Sequence, residues 1–201
     1  MTEAEILSAL SGFPVALIGD TLDRVPAARR LKPFHRSGTT MIGRALTVRT
    51  RVGDNLFIHR ALDQVTPGCV IVVDGEGYAD RALIGEIMVA IAASRGAAGF
   101  VIDGAIRDAG AIGQGGFPVY ATAVSHRGPY KSGPGAIDIA VSVGGMIIGP
   151  GDIVMGDEDG VIAIPWSSAP SVIEAARIRQ ADEEAILRSI AENRYTAAYA
   201  G

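Results

Sequence analysis

The chain is poor in the residues that most metal and redox sites are built from: it holds one cysteine, three histidines and one tryptophan in 201 residues. A lone Cys69 cannot form an internal disulfide, and within the apolar run CVIVVD it reads as a small buried hydrophobe rather than a reactive thiol. His35, His59 and His126 lie far apart with no paired spacing, so no histidine-rich zinc site is signalled and each reads as a structural or surface residue. Lysine is scarcer still, with only Lys32 and Lys131, each in a Pro- or Gly-rich context with nothing to lower its pKa. That disfavours Schiff-base chemistry. No Gly-Lys-Ser/Thr loop and no Gly-x-Ser-x-Gly elbow occurs, and GQGGFP leads into a strand pattern rather than a helix, which excludes the common nucleotide-binding loops.

A strong excess of charge of one sign is also missing. The net charge is -4 and the 18 basic residues are scattered, so neither a nucleic-acid surface nor an anionic membrane is an expected partner. No apolar run approaches the roughly 20 residues of a spanning helix, and the first thirty residues lack the layout of a signal peptide. A cytoplasmic protein is expected.

What is present is a globular composition, 48% hydrophobic and 20% charged, enough for one sizeable core. Dense punctuation by 26 Gly and 10 Pro implies many short strands. Residues 2–11 carry the capping-box spacing of Thr2 and Glu5, and residues 167–194 pattern as a long amphipathic helix. Strands are expected at 43–50, 69–74, 99–103, 117–121, 145–149, 152–156 and 160–165, with helices over about 54–64 and 85–95. DEDG between the last two strands marks a hairpin. The segments PGCVIVVD and PGDIVMGD echo each other, which two strands entered by the same Pro-Gly turn explain. The class is α/β, mixed and layered.

Between two apolar runs in GFVIDGAIRDAGAIGQGGFPVYA, residues 99–121, stand Arg107 and Asp108. Upstream, Gly85 and Glu86 open a nearly uncharged helix whose free N–H groups favour an anion. A short connection puts that helix start and the end of the strand GFVID at one sheet edge. An arginine fork suits a substrate carboxylate, and one carboxylate with waters is a common way to hold Mg²⁺. The same two side chains could equally pair with other surface charges.

Taken in order, GDTLDR, GDNLFIHRAL, PGCVIVVDGEG, AGFVIDGAIRD, FPVYA and VGGMIIGPGDIVMGDEDGVIAIP cover most of the chain. Together they resemble the family containing the 4-hydroxy-4-methyl-2-oxoglutarate aldolases and the regulator of ribonuclease activity A. The aldolase signature is an acidic residue, twenty intervening residues, then Arg-Asp; here Glu86 is followed, after residues 87–106, by Arg107 and Asp108. The acidic position is often Asp in the aldolases, and the regulator lacks the Asp after Arg, so Asp108 points to the catalytic branch.

The resemblance implies a single domain over 1–201, an RraA-like, swivelling-type α/β/β/α sandwich with mixed sheets and a long C-terminal helix. Its tail, about 167–201, would reach a neighbouring subunit in a homotrimer or homohexamer. It implies Mg²⁺, with Mn²⁺ or Co²⁺ as substitutes, bound by Asp108. Arg107 and the backbone of Gly85, Glu86, Ile87 and Met88 would bind the pyruvate unit of a small 2-oxo acid. Glu86 and an acid from the neighbour's C-terminal helix, Glu183 or Glu184 with Glu184 favoured, would organise the water that serves as base. The implied reaction is a metal-dependent retro-aldol cleavage to pyruvate, with oxaloacetate decarboxylation on the same site. The rival is a non-catalytic module that binds a ribonuclease or another protein. A methyltransferase role finds no Gly-rich nucleotide loop to support it. His59, Arg81 and Lys131 read as packing or surface residues rather than substrate contacts.

Overall fold

In a computed structural model, residues 1–22 and 27–196 are described. Asp23 and Arg24 of the GDTLDR segment and residues 197–201 of the tail lie outside them. The elements run α1 (Glu3–Leu10), α2 (Val15–Thr21), β1 (Lys32–Pro33), β2 (Met41–Thr50), α3 (Leu56–Leu62), β3 (Cys69–Ile84), α4 (Glu86–Ser94), β4 (Gly99–Ile106) and α5 (Ala109–Gln114). Then come β5 (Val119–Val124), β6 (Gly135–Ile137), β7 (Val141–Val143), β8 (Met146–Ile148), β9 (Ile153–Asp157), β10 (Gly160–Ile164) and α6 (Ala169–Ala191), entered through a 3-10 turn at Trp166–Ser168.

The capping box at α1 is complete: the Glu5 N–H donates to Thr2 Oγ1 at 3.3 Å and the Thr2 N–H donates to Glu5 Oε2 at 2.7 Å. Both Pro-Gly turns form as expected, with Gly68 at φ 82° and Gly151 at φ 74°, the positive φ that a type II turn requires after Pro. β9 and β10 pair antiparallel across DEDG, with Gly160 opposite Asp157.

One mixed sheet has the order β1-β5-β4-β3-β2-β9-β10, with β6 also on β2. Strands β2 to β5 are mutually parallel, each reached from the last through a helix, while β1, β6, β9 and β10 run antiparallel to their neighbours. Ile71, Val73, Phe100, Ile102 and Ile106 pack under α3, α4 and α5 through Ile58, Leu62, Met88, Ala92 and Ile112. Val70, Val72 and Val101 face the other way and meet Val154, Val161 and Ala163 of the last two strands together with the β7–β8 hairpin. The sheet therefore curls over itself. Where β9 passes Tyr120 of β5, a side chain at Gly156 would lie 2.7 Å from the tyrosine ring. The outer face of β9–β10 is covered by α1, α2 and α6 through Ile6, Leu10, Ile18, Val172 and Ile173. Helices outside both halves of the curled sheet make the α/β/β/α layering.

Strand β3 is the main departure from the sequence reading. It does not stop at Asp74 but continues to Ile84 through three register shifts against β4. The left-handed turn at Glu76 and Gly77, φ 58° and 66°, lies in this irregular stretch. The extension carries the chain directly into Gly85 and α4, and so delivers the helix start to the end of β4. Among the described residues, no helix is long and apolar enough to cross a membrane.

Candidate active site

The carboxyl ends of β3 and β4 meet at one point. Ile84 pairs with Ile106, and the Arg107 N–H donates to Ile84 O at 3.0 Å, so the residue leaving β4 is fixed against the residue entering α4. Asp108 then adopts the left-handed conformation, φ 57°, at the start of α5. That turn swings its carboxylate back to α4, where Oδ2 accepts the Glu86 N–H at 3.1 Å. The Arg107 Nε lies 3.7 Å from the same oxygen, and both side chains are less than half exposed. This loose pair leaves the outer edge of the guanidinium and the second carboxylate oxygen available. Gly85 makes the approach possible: a Cβ there would lie 2.4 Å from Asp108 Oδ2 and 2.9 Å from Arg107 Cγ.

The backbone donors at the helix start divide their tasks. The Glu86 N–H is held by Asp108, and the Met88 N–H turns back to Gly85 O at 3.1 Å. That leaves the Ile87 N–H as the donor without a partner, where the sequence reading used both Ile87 and Met88. A ligand carboxylate would take the Met88 donor only by displacing a tight first-turn bond. The Glu86 side chain is exposed.

Two openings flank Arg107. A cavity of about 140 Å³ is lined by Asn55, His59, Gly85, Ile87, Met88, Arg107 and Lys131, closed by Leu83, Ile84 and Pro129. A wider one of about 300 Å³ is lined by Arg107, Asp108, Val124, Ser125 and His126. His59 and Lys131, expected as packing or surface residues, both line this cavity, His59 partly buried and Lys131 exposed. Burial and then the nearby Lys131 charge push the His59 pKa down, so its ring is neutral at physiological pH. Asn55 is a wall residue that no sequence motif singles out: its Nδ2 donates to Leu83 O at 2.9 Å, and the buried Oδ1 has no partner. Nothing marks it in the sequence except its place in the quoted GDN. His126, expected as a structural or surface residue, is exposed and borders Asp108's opening. Arg81 is not in either wall; it donates to Gly128 O at 2.7 Å and to Tyr130 Oη at 2.9 Å. His35 is structural as read, with Nδ1 accepting the Val119 N–H at 3.0 Å and Nε2 donating to Thr39 O at 3.1 Å.

Among the described residues, no three His, Cys, Asp or Glu side chains come together to form a metal cage. The donors suit only an ion that keeps most of its water or takes substrate oxygens, which is the habit of Mg²⁺. Asp108, with one carboxylate oxygen uncommitted, fits such an ion. Glu184 is not brought to this place within one chain, since α6 packs over β9 and β10 at the other end of the sheet order. Glu183 pairs with Arg179 at 3.1 Å, whereas the Glu184 side chain is exposed.

The crevice thus lies at the carboxyl ends of parallel strands, beside a helix start, an arginine and a carboxylate, on a curled α/β scaffold. The chain belongs to the RraA-like family: the family model described as aldolase/RraA matches residues 15–163. A relative from Halalkalibacterium halodurans, named "Putative 4-hydroxy-4-methyl-2-oxoglutarate aldolase", is 37% identical over 196 residues, 96% of this chain and 93% of that protein. The crystal structure of Streptomyces coelicolor RraAS2, described as an unusual member of the RNase ES inhibitor RraA protein family, superposes with a TM-score of 0.81 at 26% identity, covering 91% of this chain and 96% of that one. A Geobacillus kaustophilus structure titled as S-adenosylmethionine:2-dimethylmenaquinone methyltransferase gives 0.70 at 34% identity over 76% of this chain and 95% of its own.

Proposed function

We propose that this protein is a divalent-metal-dependent pyruvate aldolase, a carbon–carbon lyase that cleaves 4-hydroxy-4-methyl-2-oxoglutarate or 4-carboxy-4-hydroxy-2-oxoadipate to pyruvate and a second 2-oxo acid. Oxaloacetate decarboxylation would follow on the same site, because loss of CO₂ leaves the same pyruvate enolate. The observation that carries this reading is the meeting of Arg107, Asp108 and the start of α4 around Gly85.

Arg107 binds the carboxylate of the pyruvate unit with its planar fork, and the Ile87 N–H at the positive end of α4 supports the same negative charge. Asp108 would hold Mg²⁺, for which Mn²⁺ or Co²⁺ could stand in; when bound, the ion polarises the 2-keto group as a Lewis acid. Cleavage moves the electron pair of the C3–C4 bond onto the pyruvate half, and the fixed charges at Arg107 and the helix start lower the cost of that charge without reorganising. The C4 hydroxyl must lose its proton as the bond breaks. Glu86, exposed at the start of α4, and Glu184 of a second copy are the carboxylates available to orient the accepting water. A site completed in this way needs a second copy of the chain, which a homotrimer or homohexamer would supply.

The test is pyruvate release from the two aldol substrates and oxaloacetate, coupled to NADH oxidation by lactate dehydrogenase. Turnover should depend on Mg²⁺, stop with EDTA and fall by more than 10²-fold in Asp108→Ala. Turnover indifferent to both treatments contradicts the metal role. No turnover on any of the three substrates favours the non-catalytic reading that the ribonuclease-inhibitor relative suggests.

A further inference from the structure

The inner face of the curled sheet ends in two carboxylates. Val70, Val72 and Val101 point into that core, and the strand period of two puts Asp74 of β3 and Asp103 of β4 on the same side, one step further along. The two acids are cross-strand neighbours, and each is only 9% exposed. Asp74 is fully committed: Oδ1 accepts the Glu76 N–H at 3.1 Å and Oδ2 accepts the Ser142 N–H at 3.2 Å. Asp103 is half satisfied. Its Oδ2 accepts the Gly144 N–H at 2.9 Å, while Oδ1 takes no hydrogen bond among the described residues and faces Gly77, 3.5 Å from where a Cβ would stand.

Asp103 and Gly77 line a cavity of about 410 Å³, a volume typical of small-molecule pockets. Arg29, Arg30 and the exposed Glu76 share its wall with the turn Gly144-Gly145. Arg29 is seated on that turn: its Nε lies 3.4 Å from Gly144 O, and a Cβ at Gly145 would lie 2.7 Å from its Nη2. Arg30 adopts φ 68°, a left-handed conformation that costs a residue with a side chain and persists where the surrounding structure enforces it. Among the described residues, neither guanidinium forms an ion pair with Asp103 or Glu76. Arg30 acts on Asp103 only at a distance, with less effect than burial, the Gly144 bond or the Asp74 charge.

A buried carboxylate beside a second one, with an oxygen to spare and no cation in contact, lacks its counter-charge. The two guanidiniums meet no carboxylate either. No residue lines both this cavity and the openings beside Arg107, so the missing groups are not those of the pyruvate unit. A metal ion would answer the acids alone, and among the described residues no three metal-ligating side chains gather. A ligand that is cationic at one end and anionic at the other answers both.

We propose that this cavity is a binding site for a free amino acid, with the ammonium on Asp103 Oδ1 beside Glu76 and the carboxylate taken by Arg30 and Arg29. The site is independent of the aldolase reading. The ammonium supplies the counter-charge that the buried acids lack, and the planar forks of the arginines suit the carboxylate. A charge kept for a ligand at a cost to the empty fold is a common trade between stability and function.

The test is titration calorimetry of the full chain, without added metal, against each of the common L-amino acids. Each one that binds is compared with the acid lacking its amino group and the amine lacking its carboxylate. At least one amino acid should bind with a Kd below about 1 mM, and both of its truncated analogues at least about tenfold more weakly, the loss that one charge-assisted contact gives. Asp103→Asn should weaken the amino acid by at least about tenfold without melting below wild type, and Arg30→Gln should weaken it as much. No binding of any amino acid at about 10 mM overturns the proposal. So does an amine or an acid that binds as tightly as its parent, which leaves a site for one charge only. Displacement of the amino acid by Ca²⁺ or Mg²⁺ in wild type but not in Asp103→Asn makes the cavity a metal site and overturns it as well. Unchanged affinity in a folded Asp103→Asn does the same.

Discussion

At the scale of single residues, Gly85 decides whether the site exists. The Cβ of an alanine is fixed by the backbone and would lie 2.4 Å from Asp108 Oδ2 and 2.9 Å from Arg107 Cγ, so both groups must shift. Gly85→Ala is expected to lower kcat/KM on the order of 10²-fold, the usual cost of an ångström of misplacement. Its melting temperature should stay within a few degrees of wild type, since the displaced side chains are partly solvated. Arg107→Lys should behave as a loss, not a conservative change, because an ammonium cannot make two parallel bonds to one carboxylate. Steady-state kinetics with a melting curve on each variant checks both. The approach of Arg107 and Asp108 to the helix start at Gly85 was legible in the short connection between that helix and the strand GFVID, while the spacing from Glu86 came from the family resemblance. Lys131, Asn55 and His126 were not, because each comes from a loop or helix whose approach to Arg107 depends on tertiary contacts that no local pattern encodes.

At the scale of elements, legibility followed local signals. The capping box fixed α1, and the Pro-Gly turns and DEDG fixed β3, β9 and β10. Helix α2 went unseen because it starts after Pro14 with no side-chain cap, and its Val15 N–H is held instead by Asp157, distant in sequence, at 2.8 Å. Helix α5, AGAIGQ, is six residues with two glycines and follows a left-handed Asp108, so propensity argues against it. It forms because β4 and β5 are parallel and need a crossover. The β7–β8 hairpin depends on a buried carboxylate pair that also lies beyond sequence reading. Asp74 and Asp103 are cross-strand neighbours, and they accept the N–H groups of Ser142 at 3.2 Å and Gly144 at 2.9 Å. Burial first, and Asp74 as a like charge, raise the Asp103 pKa against the Gly144 hydrogen bond and Arg30. A raised carboxyl pKa gives stability that is complete below the unfolded value, about 3.9, and is lost as pH climbs through the folded value. Asp103→Asn keeps the acceptor without the charge. It should melt higher than wild type at pH 7 and no differently near pH 3, which thermal scans across that range will measure.

At the scale of the whole molecule, one chain brings Arg107 and Asp108 to the start of α4, while Glu184 lies on a helix packed elsewhere. The outer half of α6 carries the exposed Ile186, Leu187 and Ile190 beyond the segment packed on α1 and α2, with Glu184 on the same stretch. If that stretch serves a second copy, the site is shared and two defective chains can repair each other. Arg107→Met and Glu184→Gln, each inactive alone, should regain a measurable fraction of wild-type turnover when unfolded and refolded together, and solution mass should exceed that of one 20.8 kDa chain. No regain, with assembly intact, places all the needed groups in one subunit.

The central claim is that Arg107, Asp108 and the start of α4 stabilise the pyruvate enolate, and proton NMR of pyruvate in D₂O tests it without knowledge of the natural substrate. Wild type with Mg²⁺ should exchange the methyl protons for deuterium far above the buffer rate, and Arg107→Met and Asp108→Ala should not. Exchange no faster than buffer in wild type, or equally fast in Asp108→Ala, would contradict it.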